Sequence, residues 1–219
     1  MVLEMDHADH PLYPGVYIQK NEALKRIAFF DFDGTITTRD TLLELIRYHA
    51  GTTGFYLGFL LYSPLIIAYK LKLISNQQAK EKVIGYFFRK MDVTNFDKLC
   101  ADFCAEVLPA LIRKKAQHEI ELLKLKGAEV VVVSASPENW VERWCGSMGI
   151  KCLATRLVIR DNRITGRIAG RNCHGEEKVT RIREHYRLED YNEILCYGDT
   201  NGDKPFLKLA TISFYKPFR

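Results

Sequence analysis

Residues Ile27-Ala28-Phe29-Phe30-Asp31-Phe32-Asp33-Gly34-Thr35 pass from an unbroken apolar run straight into two carboxylates and a glycine. Such a run, led in by Lys25 and Arg26, reads as a short strand buried on both faces. Its end carries acids, which packing does not require. The pattern recurs downstream. Glu129-Val130-Val131-Val132-Val133-Ser134 is β-branched and ends in a hydroxyl; Ile194-Leu195-Cys196-Tyr197-Gly198-Asp199 is apolar and ends in an acid. Three separate segments thus bring Asp31, Ser134 and Asp199 to the carboxyl ends of strands. In open α/β sheets that is the edge where ligands bind.

Between these strands the periodicity is helical. Over residues 41–125, Leu42, Leu45 and Ile46, then Val83, Phe87 and Phe88, then Leu99, Phe103 and Val107 recur at helical spacing, with breaks at Asn76 and Asp92. Pro137 is placed to open a helix running to about Met148. Residues 151–154 read as a third strand, and residues 157–166 as a hairpin about Asp161-Asn162. A helix over 176–186 and a last strand over 212–214 complete the chain. Strands alternating with helices predict an α/β fold with a doubly wound parallel sheet. The expected division is an N-terminal arm over 1–25, a catalytic core from 26–40 and 126–219, and a helical cap over 41–125.

The 219 residues are 47% hydrophobic and 27% charged, the balance of a soluble globular protein. The formal net charge of +5 is scattered, and no basic block argues for nucleic acid. Six cysteines without a Cys-x-x-Cys pair read as reduced thiols, and Glu4, Asp6 and Asp9 before Pro11 and Pro14 do not read as a signal peptide. The expected location is therefore cytoplasmic. One stretch stands against it: residues 48–69 hold no formally charged side chain and are followed by Lys70 and Lys72. That is long enough to cross a bilayer, but Gly51, Gly54, Gly58 and Pro64 interrupt it. A hydrophobic cap core or dimer surface, an apolar hairpin in peripheral contact with a membrane, and a spanning helix are the three readings.

Two carboxylates as close as Asp31 and Asp33 repel unless a cation or a shared proton relieves them, and alternation along a strand would turn both to one site. A hard divalent ion such as magnesium suits such oxygens, and Asp199 can complete its site. The Ser134 hydroxyl, with nearby turn amides, could hold a phosphate oxygen. The Lys178 ammonium could balance phosphate and carboxylates together. Each of these alone has an ordinary reading as a turn, a cap or a surface lysine, and His174 more so.

Together they resemble a family. Asp31-Phe32-Asp33-Gly34-Thr35, Ser134, Lys178 and Gly198-Asp199-Thr200-Asn201-Gly202-Asp203 follow the order of the four motifs of haloacid dehalogenase-type phosphatases, over residues 26–214. The insertion after the first motif resembles the cap of subfamily IB, which includes phosphoserine phosphatase. The resemblance implies a magnesium-dependent phosphate-monoester hydrolase with Asp31 as nucleophile and Asp33 as general acid and base. It implies that Asp31, the backbone carbonyl of Asp33, and Asp199 hold Mg2+, with Thr35 and Asp203 in support, and that Ser134, Ala135 and Lys178 bind the phosphoryl group. Two positions depart from phosphoserine phosphatase: Asp40 replaces a substrate-recognising Glu, and Ala135 replaces a Gly. Asp40 is thus the candidate for substrate selection. Ser134-Ala135-Ser136-Pro137 and the residues around Lys178 are closer to a branch that includes phosphatidylglycerophosphatase C, so a small ester and a lipid phosphate both fit. The alternatives are a phosphotransferase using the same aspartyl-phosphate, and a phosphoserine phosphatase.

Overall fold

The computed structural model describes residues 24–71 and 73–219. Most of the expected N-terminal arm, and Lys72, lie outside the described residues. In chain order the strands are β1 (Arg26–Phe30), β2 (Glu129–Pro137), β3 (Lys151–Thr155), β4 (Leu157–Arg160), β5 (Arg163–Ile168), β6 (Glu193–Gly198) and β7 (Ile212–Tyr215). Five of them form one parallel sheet in the order β3-β2-β1-β6-β7, and β4-β5 is a separate antiparallel hairpin. Asp161 and Asn162 both take positive φ in its turn, as a tight hairpin requires.

The unbroken apolar runs follow from burial on both faces. Ala28, Phe30, Val130, Val132, Leu195 and Tyr197 enter one core. Their neighbours Ile27, Phe29, Val131, Val133, Ile194 and Cys196 enter the other. Alternate side chains leave opposite faces of a strand, so neither face tolerates a polar residue. The first core is covered by α4 (Val93–Glu106), α6 (Lys114–Leu125) and α7 (Glu138–Met148); the second by α8 (Glu176–His185) and α9 (Lys204–Leu207). Phe30, Tyr197 and Phe214 stack across three strands at centroid distances of 4.1 and 4.5 Å. All six cysteines are free.

The helical insertion begins with α1 (Thr41–Leu61), α2 (Ser63–Lys70) and α3 (Asn76–Phe88), and α5 (Leu108–Leu111) follows α4. Side chains cap three of them: Asp40 for α1, Ser75 with Gln78 in a capping box for α3, and Asp92 for α4. Its two ends meet. Thr37 pairs antiparallel with Ile112, Thr38 N–H donates to Leu111 O at 2.8 Å, and Arg113 N–H to Ile36 O at 2.8 Å. Gly51 (φ 68) breaks the helical path within α1, and the chain turns by 55° between α1 and α2. Among the described residues no single helix is long and apolar enough to cross a membrane, although the bent pair α1 and α2 together has the length and composition to do so.

One close approach and three hydrogen bonds fix α3. Gly166 (φ 82) lies so close that a Cβ there would stand 2.4 Å from Gly85 Cα. At its start, Gln77 Oε1 accepts from Asn172 N–H at 3.1 Å, Asn172 Nδ2 donates to Asn76 Oδ1 at 2.6 Å, and Glu81 Oε1 accepts from Ile168 N–H at 3.0 Å. The insertion is thereby tied to the segment that leads to Lys178.

Candidate active site

The register of the sheet places the chemistry. Phe30 pairs with Val132 on one side and Tyr197 on the other, so Asp31, Ser134 and Asp199 emerge along one edge. Strand order reverses at β1, and the crevice at such a switch point is where ligands of this architecture sit.

Beyond Phe30 the strand stops. Phe32–Ile36 form a tight turn closed by Thr37 N–H to Phe32 O at 3.0 Å, with Gly34 at φ 81. A Cβ on Gly34 would lie 2.5 Å from Asp199 Oδ2, so both backbone and space demand glycine. Asp33 thus sits in a turn and not in the strand, and its orientation is set by its partners. The Asp33 carboxylate is drawn off by Thr41, whose N–H and hydroxyl donate to Oδ1 at 2.7 and 2.6 Å, and by Ser136, whose hydroxyl donates to Oδ2 at 2.6 Å. Trp140 Nε1 in turn donates to Thr41 Oγ1 at 2.9 Å.

Asp31 meets a different partner. Lys178 Nζ, on a side chain only 1% exposed, donates to Asp31 Oδ1 at 2.5 Å and to Asp203 Oδ1 at 2.7 Å. The other oxygen of Asp203 accepts from Thr200 N–H (2.9 Å), Thr200 Oγ1 (2.7 Å) and Asp199 N–H (3.2 Å). Asp199 Oδ1 accepts from Thr35 Oγ1 at 3.2 Å, and its Oδ2 from the Arg219 guanidinium. Oxygens of Asp31, Asp199 and Asp203 all lie within 4.8 Å of one another, in buried surroundings that could hold a metal ion.

Burial shapes the charges. It pushes the Asp31 carboxyl up to about 7, against the opposing field of Lys178. Asp199 is likewise raised, first by burial and then by Asp203, with Arg219 opposing. Burial would raise Asp203 too, but Lys178 and the Thr200 donors outweigh it and hold it below the ordinary carboxylate range. Burial works against the Lys178 charge, and Asp31 and Asp203 more than restore it.

Ser134 is fully buried at the end of β2, its Oγ accepting from Ser136 N–H at 3.0 Å. The pairing of β2 with β3 slips between Ser134 and Pro137, and this bulge turns Ser136 toward Asp33. The carbonyl of Ala135 accepts from Lys80 Nζ at 2.9 Å. Asp40 caps α1 through Leu43 N–H at 3.1 Å. The His174 ring lies against Gly202, and burial followed by Lys178 lowers its tendency to protonate.

Five residues at the site escape the sequence reading: Thr41, Lys80, Ser136, Trp140 and Arg219. Ser136 stands in the quoted Ser134-Ala135-Ser136-Pro137 segment, but the bulge that aims it has no sequence period. Lys80 sits among Lys82 and Lys90 with nothing to distinguish it. Thr41 could have been suspected, since it follows the cap residue Asp40.

Buried carboxylates and a buried lysine at the switch point of a doubly wound α/β sheet mark a site that could take a metal ion and an anionic ligand. The family described as haloacid dehalogenase-like hydrolase matches residues 28–208. Protein CicA of Caulobacter vibrioides is 33% identical over 192 residues, spanning 87% of this chain and 85% of that protein. The phosphoserine phosphatase of Methanocaldococcus jannaschii is 27% identical over 201 residues, spanning 86% and 84%. The crystal structure of a protein of unknown function from Bordetella pertussis shares the fold, with a TM-score of 0.77, 23% identity, and 87% and 89% of the two chains covered. The chain belongs to the haloacid dehalogenase-like hydrolases.

Proposed function

We propose that the protein hydrolyses phosphate monoesters in two steps through a phosphoryl group carried on Asp31, with Mg2+ as cofactor. The observation that carries this reading is the buried Lys178, which bridges Asp31 and Asp203 beside Asp199. The donor set fits a small hard cation. The oxygens are close, buried and acidic, and the turn at Gly34 leaves them no neighbouring side chain to fill the gap. Both oxygens of Asp203 are already engaged, whereas Asp31 Oδ2 accepts no hydrogen bond among the described residues. Asp31 and Asp199 would therefore hold the ion with the carbonyl of Asp33, Arg219 releasing Asp199, and Asp203 would support through Lys178. Bound there, Mg2+ supplies positive charge to the phosphoryl oxygens and to the two carboxylates.

Ser134, the amide of Ala135 and Lys178 orient the phosphoryl group. An Asp31 oxygen attacks phosphorus as the ester P–O bond breaks, and protonated Asp33 delivers its proton to the leaving oxygen. Asp33, now ionised, takes a proton from water as that water attacks phosphorus. Inorganic phosphate leaves and Asp31 is regenerated. Positioning and charge neutralisation carry most of such a reaction. The test is chemical. Acid-quenched protein turning over a 32P-labelled aryl phosphate should carry label on Asp31, and Asp31→Asn should lose both label and phosphate release. Label-free protein with undiminished turnover would overturn the reading. Added alcohol that captures the phosphoryl group in place of water would make the protein a phosphotransferase.

Two substrate classes remain in view. Relatives named phosphoserine phosphatase and histidinol-phosphatase favour a small polar ester. The exposed leucines of α1, with Ile67 of α2 and Leu71 just after it, favour a lipid phosphate met at a membrane surface, with Asp40 at the cap's entry as the side chain that selects.

A further inference from the structure

Away from the carboxylates, α3 and the β4-β5 hairpin enclose an open cleft of about 980 Å3. Lys82, Arg89 and Lys90 line it from the helical side, and Arg160, Arg163 and Arg167 from the hairpin. All six are exposed, and none forms an ion pair among the described residues. Two acids, Glu81 and Asp161, also line it, so six cationic side chains face two carboxylates. The cleft is therefore strongly cationic in a protein whose overall charge is mild. Catalysis as derived above makes no use of it.

One end of the cleft is aromatic. Tyr62 and Tyr86 line it with ring centroids 4.7 Å apart, and they join it to the outer surface of α1 and α2. There Leu57, Leu60, Leu61, Ile67 and Leu71 are each more than half exposed. Residues 45–80, which include this whole surface, contain no acidic side chain. Cations and outward-facing leucines thus adjoin, with an aromatic pair between them.

We propose that this face docks on an anionic phospholipid bilayer, the cleft taking the phosphate headgroups and the α1–α2 leucines entering the acyl boundary. An interfacial site combines these features: apolar side chains that gain from leaving water, flanking tyrosines at headgroup depth, and basic residues for anionic lipid. A nucleic acid would use the cations and gain nothing from the leucines. A second copy of the chain would meet the leucines and bring six like charges to the same face. The inference stands apart from the hydrolase reading, because binding is read without turnover.

Co-sedimentation with vesicles tests it, using phosphatidylcholine alone and phosphatidylcholine mixed equally with phosphatidylglycerol. The protein should pellet with the mixed vesicles at low salt and retain a weaker, salt-resistant binding. Arg89→Glu with Arg167→Glu should weaken binding to mixed vesicles by about tenfold or more. Leu60→Ser with Leu61→Ser should remove the salt-resistant part. Both variants should keep the thermal midpoint of the unaltered protein, which shows that they fold. Protein that stays in the supernatant at low salt overturns the proposal. So does undiminished binding by the Arg89→Glu, Arg167→Glu variant, or displacement from mixed vesicles by single-stranded RNA at equal charge. A dimer in sedimentation velocity that the leucine substitutions dissolve, without vesicle binding, assigns the face to a second copy and overturns it too.

Discussion

Asp33 is the residue whose surroundings say most about the reaction. Three donors converge on its carboxylate, two from Thr41 at the start of the cap and one from Ser136 in the β2 bulge. They fix the orientation of a group that, in the proposed reaction, must serve the leaving oxygen and then the water. Ser136→Ala should therefore impair esters of poor leaving groups and largely spare aryl phosphates, whose leaving oxygen needs no proton. An alkyl ester such as phosphoserine or glycerol phosphate should lose roughly 10-fold or more, within the 10²–10⁴-fold that a whole general acid contributes. Ser136→Thr should restore the rate. Equal losses on alkyl and aryl esters would make Ser136 a structural residue only. The acids and the lysine are legible in the sequence because each ends an apolar strand or falls in a recognisable motif. Ser136 and Lys80 are not, since a bulge and a tertiary approach of α3 aim them, and neither leaves a period in the chain.

At the level of elements, the strands are the best-read part of the sequence. Burial on both faces makes β1, β2 and β6 unbroken apolar runs, and the Asp161-Asn162 turn marks the hairpin. The helical insertion is readable as helical but not as an arrangement. Its breaks at Asn76 and Asp92 coincide with capped helix starts, whereas the break at Tyr62 carries no side-chain cap. What fixes the insertion is a backbone approach that no periodicity encodes: Gly166 in β5 against Gly85 in α3. Gly166→Ala would drive a Cβ into backbone and strain a residue at φ 82. The expected cost is about 2–4 kcal/mol, read by chemical denaturation. Moving β5 would also disturb Glu81 and Gln77, which tie α3 to Ile168 and Asn172 on the way to Lys178. The variant should then lose activity beyond its loss of stability at temperatures where it remains folded. Gly146→Ala in α7, where a Cβ would meet nothing within 4 Å, is the control; it should raise stability by up to about 1 kcal/mol and leave activity unchanged.

For the whole molecule, the carboxylate cluster couples folding, acidity and metal. Asp31, held by burial up to about 7, keeps its proton in the folded state at a pH where an unfolded aspartate has lost it. Asp199 is shifted in the same direction. At Asp31 the folded protein therefore binds more protons than the unfolded chain between about pH 4 and pH 7, and this group makes metal-free stability fall as pH rises through that window, with Asp199 acting in the same sense. Asp203, held low, acts oppositely, with its contribution lost only as pH falls through its depressed range. Lys178, held high, keeps its contribution throughout neutral pH. Magnesium reverses the balance, because its ligands must be ionised and its charge then favours the form that burial disfavours. The gain in thermal midpoint on adding magnesium should accordingly grow as pH rises through about 7 and shrink below it. At 100 times its dissociation constant a folded-state ligand contributes about 2.7 kcal/mol, or roughly 5–10 °C for a chain of this size. Asp199→Ala should abolish most of that gain while leaving the metal-free protein as stable or more so near neutral pH, since a buried carboxylate has been removed. Scanning calorimetry across pH, with and without magnesium, separates these outcomes. A gain that ignores pH, or that survives in Asp199→Ala, would place the ion elsewhere than between β1 and β6.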